Sequence, residues 1–350
     1  MKRSGEHELR KYVGDLSALY GIKRYTMTDG RDNGVRAMDL DNGQGLTMTV
    51  LQERGLDIPF LRFKGVNVGF YSKTGISHPA YYQEDGARGF LKQFYAGLLT
   101  TCGVTYAGAA CEDDGRKLGL HGPFSNTPAE MVNADIRYDG DDAVLHVQGQ
   151  VREACVFEEN MRLTRSIDLE TEKNILHLTD TVENLGFADS PSMMVYHINF
   201  GYPMLDEGAK LYFSAKDVKA RDEIAQQGLD AHDVMEKPTI ERPEQCYFHT
   251  NEKDPEHAFA MLHNEKLGMA AIVHFDAREL PLLCEWKCMR AGDYALGLEP
   301  TAAGVMGRAA VKQDGMLPII KPGESKTYCI ALEMTDDQAI IDQYIAKSGK

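Results

Sequence analysis

Cationic charge is scarce in this 350-residue chain: 38 Lys and Arg stand against 53 Asp and Glu, a net charge of −15 at pH 7. A polyanionic partner needs clustered Lys and Arg to displace counterions, so nucleic acid is not an expected partner, and neither is an anionic membrane surface. Long apolar runs are absent too. No stretch approaches the 18 apolar residues of a membrane-spanning helix. The start, Met1-Lys2-Arg3-Ser4-Gly5-Glu6-His7-Glu8, is basic with no apolar stretch behind it, so no secretory signal is expected. Cysteines number seven, at 102, 111, 155, 246, 284, 288 and 329, with no Cys-x-x-Cys and only Cys284 and Cys288 close together. An odd, scattered set builds neither a disulfide framework nor a four-ligand zinc site, and it is expected of reduced thiols in a cytoplasmic protein. Also missing are a P-loop, a dinucleotide-binding glycine fingerprint, a nucleophile elbow and His-Glu-x-x-His. Nucleotide-dependent transfer, common dehydrogenases and serine hydrolases therefore give way to a small-molecule site of another kind.

What is present is a long series of short β segments. Residues 162–169 (Arg-Leu-Thr-Arg-Ser-Ile-Asp-Leu) and 174–182 alternate apolar and polar with period two, and the polar stretch 170–173 between them has hairpin length. Further strand candidates are 45–51, 143–149, 210–214, 269–275, 294–298 and 325–332, separated by turn signals such as Asp41-Asn42-Gly43 and Lys321-Pro322-Gly323. Helical pattern is confined to the ends: an N-terminal extension over about 1–22 and a C-terminal helix over about 335–348, opened by the cap-like Thr335-Asp336-Asp337. The length suggests two or more domains. No linker, repeat or low-complexity tract divides the chain, however, and there is no βαβ rhythm. The expectation is an all-β fold, one large antiparallel assembly spanning 1–350 with few short helices. The stretch 216–244 is the weakest β signal and reads as an excursion or flap.

Among eleven histidines two have unusual surroundings. His121 lies in Leu118-Gly119-Leu120-His121-Gly122-Pro123, where glycines let backbone approach a ligand closely. His197 lies in Val195-Tyr196-His197-Ile198-Asn199-Phe200-Gly201-Tyr202-Pro203, a strand running into a turn; alternation places Val195, His197 and Asn199 on one face. Each histidine reads equally as a core or rim residue. Glu299, in Gly297-Leu298-Glu299-Pro300, is delivered by an apolar strand and held extended by the following proline. Burial there would raise its pKa towards that of a general base, or the carboxylate could pair with Arg290 or Arg308. Trp286 is a core residue or a flat platform for a sugar. Arg54, in Gln52-Glu53-Arg54-Gly55-Leu56-Asp57, forks onto a ligand's hydroxyls or pairs with Asp57.

In chain order, Glu53-Arg54-Gly55-Leu56-Asp57-Ile58, Gly97-Leu98-Leu99-Thr100-Thr101-Cys102-Gly103, Leu120-His121-Gly122, Val182-Glu183-Asn184, Tyr196-His197-Ile198-Asn199-Phe200-Gly201-Tyr202-Pro203 and Gly297-Leu298-Glu299-Pro300 resemble the aldose 1-epimerase (galactose mutarotase-like) superfamily, and more closely its bacterial aldose epimerase-like branch. The resemblance runs from about 29 to 332. It implies a large antiparallel β-sandwich whose cleft holds a monosaccharide and needs no cofactor. By motif position it makes His197 the general acid and Glu299 the general base of anomer interconversion. It makes His121, Arg54 and Glu244 sugar-contacting residues, and Asn199 and Trp286 are expected beside them as further contacts. Both catalytic groups are expected to work near neutral pH, the glutamate raised by burial and the histidine near its ordinary value. The His-x-Tyr-Phe-Asn-Leu motif of true galactose mutarotases is absent, so galactose or glucose is not implied as the substrate. Two rival readings accompany this one. A metal-dependent sugar isomerase would use His121, His197 and Glu299 as ligands, with Asp206 or Glu244 as the fourth. A carbohydrate-binding protein would use the same cleft without catalysis.

Overall fold

A computed structural model describes residues 6–139 and 142–349. Two antiparallel sheets face one another. The larger, of eleven strands, runs from the edge strand Gly21–Thr26 through Arg36–Asp41, Leu46–Leu51, Asp57–Phe63, Leu99–Cys102, Val195–Phe200, Asp293–Thr301, Leu282–Arg290 and Gln245–Glu252 to Ala215–Ala220, and the short Val66–Asn67 pairs with Asp57–Phe63 off this path. The second, of eight strands, orders Glu130–Asp139, Asp142–Ala154, Asn160–Glu170, Ile175–Asn184, Ser325–Thr335, Met269–Phe275, Ala258–Asn264 and Lys210–Phe213. The two share one apolar core, in which Leu163, Leu178 and Leu332 of the smaller sheet meet Met38, Leu61 and Ile198 of the larger. This is the all-β sandwich with few short helices expected from the period-two pattern.

The two sheets bury their strands differently, and that difference makes the cleft. Asn160–Glu170 and Ile175–Asn184 alternate strictly between buried and half-exposed positions, one face on the core and one towards water. Val195–Phe200 and Asp293–Thr301, in the middle of the larger sheet, are buried on both faces. Their inner face enters the shared core through Tyr196, Ile198, Phe200, Leu296 and Leu298. Their outer face lies under a second apolar cluster that includes Phe90, Met193, Val195 and Val311, with Phe94 and Leu120 against it. Part of the cover, Phe90, Phe94 and Leu120, comes from chain segments far away in sequence, so polar residues on that outer face are also buried.

The termini differ in how well they match expectation. The C-terminal helix forms over Gln338–Ser348, with the Asp337 side chain accepting from the Ala339 N–H and Gly349 in the left-handed region behind it. The N-terminal helix does not run to residue 22. It is one turn, Glu6–Leu9, then a 3-10 turn, Leu16–Ala18, and the chain is already in the edge strand from Gly21. Gly14 interrupts the helix and Asp15 starts a new turn by capping the Ser17 N–H at 2.9 Å. Residues 1–5 lie outside the described residues. The weak stretch 216–244 begins as the edge strand Ala215–Ala220 and then folds back as a helical turn, Glu223–Gln226, and a 3-10 turn, Leu229–Ala231.

Between the sheets sits a fully buried ion network. Arg165, on the smaller sheet, donates to Asp180 Oδ1 and Oδ2 at 2.9 and 2.7 Å. Across the interface it donates to Asp57 Oδ1 at 2.9 Å and Thr101 Oγ1 at 2.8 Å on the larger sheet. Tyr196 donates to Asp180 Oδ2 at 2.9 Å. Burial pushes the Asp57 carboxyl up to about 6, against the opposing pull of Arg165 and the Thr101 donors. Removing one charge of such a set leaves another buried without its partner, at a cost of roughly 3–5 kcal/mol. Asp180→Ala should therefore lower the unfolding free energy from urea melts by that amount, through a lower midpoint at unchanged slope; a loss below about 1 kcal/mol would contradict the placement of the network.

Candidate active site

The cleft opens on the outer face of the larger sheet, with a volume of about 650 Å³ including the solvent at its mouth. His197 and Glu299 reach it from neighbouring strands, and Trp286 and Cys284 from the next one over. Cys284 faces Glu299 directly across the ladder, and Trp286 faces Cys246. His121 enters from a loop, in the left-handed region at φ 62°. That conformation costs a non-glycine residue roughly 1–2 kcal/mol. It is held by hydrogen bonds on both sides, His121 N–H to Gly108 O at 2.8 Å and Gly103 N–H to His121 O at 3.1 Å. Gly122 follows at φ 76°, where a Cβ would lie 2.5 Å from the Tyr106 carbonyl oxygen. The glycine-flanked loop thus lets the histidine approach the sheet.

Four rings line the floor and wall. His197 is ringed by Phe94, Trp286 and His121, at centroid separations of 5.2, 5.4 and 5.5 Å. Its Nδ1 lies 3.3 Å from Glu299 Oε1. Neither of these atoms has a hydrogen-bond partner, nor does His121 Nδ1, although all three are buried. Native interiors seldom leave such atoms unsatisfied, and three together make this cleft the candidate site for a polar ligand. Towards the mouth, Trp286 Nε1 donates to Glu244 Oε2 at 2.8 Å and Arg221 Nη2 to Glu244 Oε1 at 3.2 Å. Arg221 Nη1 also lies 2.9 Å from Cys246 Sγ.

Burial dominates the electrostatics. Glu299 is pushed up to about 8, chiefly by desolvation and secondarily by the charge of Glu244, with Arg221 and Cys284 acting the other way. His121 falls to about 4 through desolvation alone. His197 falls well below the usual imidazole range, first by desolvation, then by the neighbouring His121, with the Asn199 amide opposing. The expectation that His197 stays near its ordinary value is thus corrected: the rings that cover it remove the water its charged form would need. At neutral pH the ligand-free pair carries one proton in total, and it resides on Glu299.

Two residues expected to touch a sugar do not line the cleft. Arg54 is inside the protein, donating to the carbonyls of Ser125, Ser77 (3.0 Å) and Gln93 (3.0 Å) and stacked over Tyr95. Asp57, its other expected partner, bonds Arg165 instead. Arg54 ties three loops together, one of them just before Phe94. Asn199 lies behind His197, its Nδ2 donating to the His197 carbonyl at 2.8 Å. His121, His197, Glu244, Trp286 and Glu299 do line the cleft. Glu299 has neither of its expected arginine partners; Arg308 bonds Asp113 at 2.7 Å. Arg221, Phe90 and Phe94 line the cleft without having been singled out. Arg221 stands in the stretch 216–244, read as an excursion or flap, and the phenylalanines have no polar signal at all. Asp206 is elsewhere, bonded to Lys266 at 2.7 Å. All seven cysteines are free of disulfides. A larger, shallower hollow lies on the smaller sheet beside the C-terminal helix, but His177, His257 and His274 there are each paired with a carboxylate.

The family model described as domain of unknown function DUF4432 matches residues 32–334. The chain belongs to that family. Solved structures place its fold among the galactose mutarotase-like sandwiches. This DUF4432 chain is 23% identical to a Klebsiella pneumoniae protein provisionally named an aldose 1-epimerase, with a TM-score of 0.87 over 95% of this chain and 88% of that one. A galactose mutarotase-like protein from Clostridium acetobutylicum is 15% identical, with a TM-score of 0.63 over 91% and 99% of the two chains. A galactose 1-epimerase from Lactobacillus acidophilus is 12% identical, with a TM-score of 0.59 over 90% and 99%. No curated protein matches.

The raised Glu299 carries a stability consequence. Between its unfolded value, 4.5, and about 8, the folded chain holds a proton that the unfolded chain has released. Stability therefore falls as pH rises through that window, by on the order of 3 kcal/mol at pH 7. Glu299→Gln should unfold at higher urea than wild type at pH 8 and converge with it near pH 5. A variant no more stable than wild type at pH 8 contradicts the burial of an ionisable carboxyl there.

Proposed function

We propose that this protein interconverts the anomers of a neutral monosaccharide by acid–base opening and closing of the sugar ring. The observation that carries the reading is the trio of buried, unpartnered polar atoms, His121 Nδ1, His197 Nδ1 and Glu299 Oε1, in one aromatic-walled cleft. Mutarotation removes a proton from the anomeric hydroxyl and delivers one to the ring oxygen. Both oxygens are bonded to the same carbon, so acid and base must stand close together, and a 3.3 Å separation suits that demand.

In this reading Glu299 takes the O1 proton while His197 protonates O5, the C1–O5 bond breaks, and the aldehyde rotates. Closure on the other face reverses the roles. The proton count needs no outside donor. A neutral histidine beside a protonated glutamate and an imidazolium beside a carboxylate hold the same single proton. A sugar that accepts from His197 and donates to Glu299 favours the second placement, which is the reactive one. His121, neutral at pH 7, offers a hydrogen bond to the sugar, and Trp286 and Phe94 offer flat apolar faces to its C–H groups. The ion pair of Arg221 with Glu244 leaves no unmatched cation for a phosphate or carboxylate, which supports a neutral substrate. The names of the Klebsiella and Lactobacillus neighbours agree with this chemistry.

The test is exchange between anomer signals in NMR spectra of a panel of aldoses and ketoses. Glu299→Gln and His197→Asn should each slow the enzyme-dependent exchange at least about a hundredfold. Unchanged rates in either variant, or sugar binding by wild type with no exchange at all, would refute the proposal. The pH profile is a second check. Because one proton must remain on the pair, kcat/KM should stay level through neutrality and decline only above about 8. A decline already centred near pH 6.5 would indicate an ordinary histidine instead.

A further inference from the structure

The segment 221–244 must be fastened to the larger sheet with few apolar anchors, Ala225 and Met235 among them. Polar contacts supply the rest. Lys287 Nζ donates to the carbonyls of Ala231 and Val234 at 2.9 and 2.7 Å, and Tyr294 donates to that of Glu236 at 2.6 Å. Gly228 lies against Gln245 and Tyr247, where a Cβ would stand 2.4 Å from Gln245 Nε2. Amid these contacts His232 Nδ1 is 2.8 Å from Glu285 Oε2, and His249 Nε2 is 2.9 Å from the same oxygen. Glu285 is wholly buried, and its other oxygen, Oε1, has no partner.

We propose that His232, His249 and Glu285 form a site for one zinc-type divalent metal ion, which clasps the 221–244 segment to the sheet. The register puts the site on the face away from the sugar cleft. Tyr247 stands opposite Glu285, and His249 stands opposite Leu283, a residue of the shared core. Cys246, Trp286 and Cys284 alternate to the cleft side. The site is therefore separate from the His121, His197 and Glu299 set. Among the described residues, the group of histidines and carboxylates whose ligand atoms all lie within 4.8 Å of one another is this one.

The donor chemistry selects the ion. Two imidazole nitrogens and one carboxylate suit zinc and its neighbours, whereas calcium and magnesium require mostly oxygen. Ligand atoms around a tetrahedral zinc stand about 3.3 Å apart, given metal–ligand bonds of about 2.0–2.1 Å. The two nitrogen-to-carboxylate spacings, 2.8 and 2.9 Å, need open by only about half an ångström. A pair of N–H donors on Oε2 alone would leave Oε1 buried and unsatisfied; a cation coordinated by the carboxylate offsets that cost. The surrounding charge also admits a cation, since Asp233, Glu236 and Glu285 outnumber Lys287 and Arg242. The Tyr247 phenol is also buried without a partner, and its ring stands 5.3 Å from that of His232. Phe213, stacked 3.9 Å from the His249 ring, shields the site from water. Because Arg221 and Glu244 are the two ends of the clasped segment, the ion would hold the rim of the cleft without entering it.

The experiment is a cobalt(II) titration of the chelator-treated full chain, followed by visible absorption, with zinc competition and a thermal melt. One equivalent should bind at micromolar or tighter affinity, give the intense bands of tetrahedral cobalt, and raise the melting temperature. His232→Ala, a change in a loop, should keep the wild-type circular dichroism yet weaken binding at least about tenfold, as should Glu285→Gln. His121→Asn and His197→Asn should bind as wild type does. No stoichiometric binding, or binding that survives His232→Ala, overturns the proposal. Binding lost in His197→Asn instead places the metal in the cleft, and that also overturns it.

Discussion

Arg165 is the residue on which both sheets depend. Its guanidinium spans the core, gripping Asp180 on its own sheet and Asp57 and Thr101 on the other, and Tyr196 completes the set through Asp180. A buried ion network of this kind is weak evidence for stability, but it specifies one register well, because any slip leaves a charge unpaired in an apolar interior. The register it specifies is that of Val195–Phe200. With Tyr196 drawn inward, His197 must point outward, and a shift of one residue would exchange them. The core thereby determines which side chain enters the cleft.

Outward would ordinarily mean solvated. Here a second apolar layer, built from Phe90, Phe94, Leu120 and their neighbours, covers the outer face. His197, His121 and Glu299 are consequently held in a place that suits none of their charged forms. This is the same desolvation that pushes Glu299 up and both histidines down. A cleft that holds one proton on Glu299, from which a bound ligand could draw it towards His197, suits the reversible ring opening proposed above. Stability is traded for that poise.

The fold was legible in the sequence wherever a strand had one wet face. Asn160–Glu170 and Ile175–Asn184 show their period in the residue types themselves, and the turn between them is plain. The alternation around His197 was legible too, as was the role of proline in extending Glu299. Other features depend on residues that meet only in space. Arg54 reads like a ligand-binding arginine because nothing local shows that the carbonyls of Ser77, Gln93 and Ser125 surround it. The depressed affinity of His197 comes from Phe94, Trp286 and His121, none of them near it in sequence. His232, His249 and Glu285 stand on a loop and two strands, and only the register of Gln245–Glu252 against Leu282–Arg290 brings them together. The N-terminal helix was overestimated because periodicity there ran past Gly14, whose cost to a helix is local.

The central claim is that burial in the cleft leaves a single proton on the Glu299–His197 pair at neutral pH. Its most direct measurement is an NMR titration of the ligand-free protein labelled with carbon-13 at the glutamate carboxyl carbons, with Glu299→Gln assigning the signal. The account predicts one carboxyl that stays protonated through neutrality and titrates at about 8. A Glu299 signal that titrates near 4.5, with the bulk of the glutamates, would contradict it.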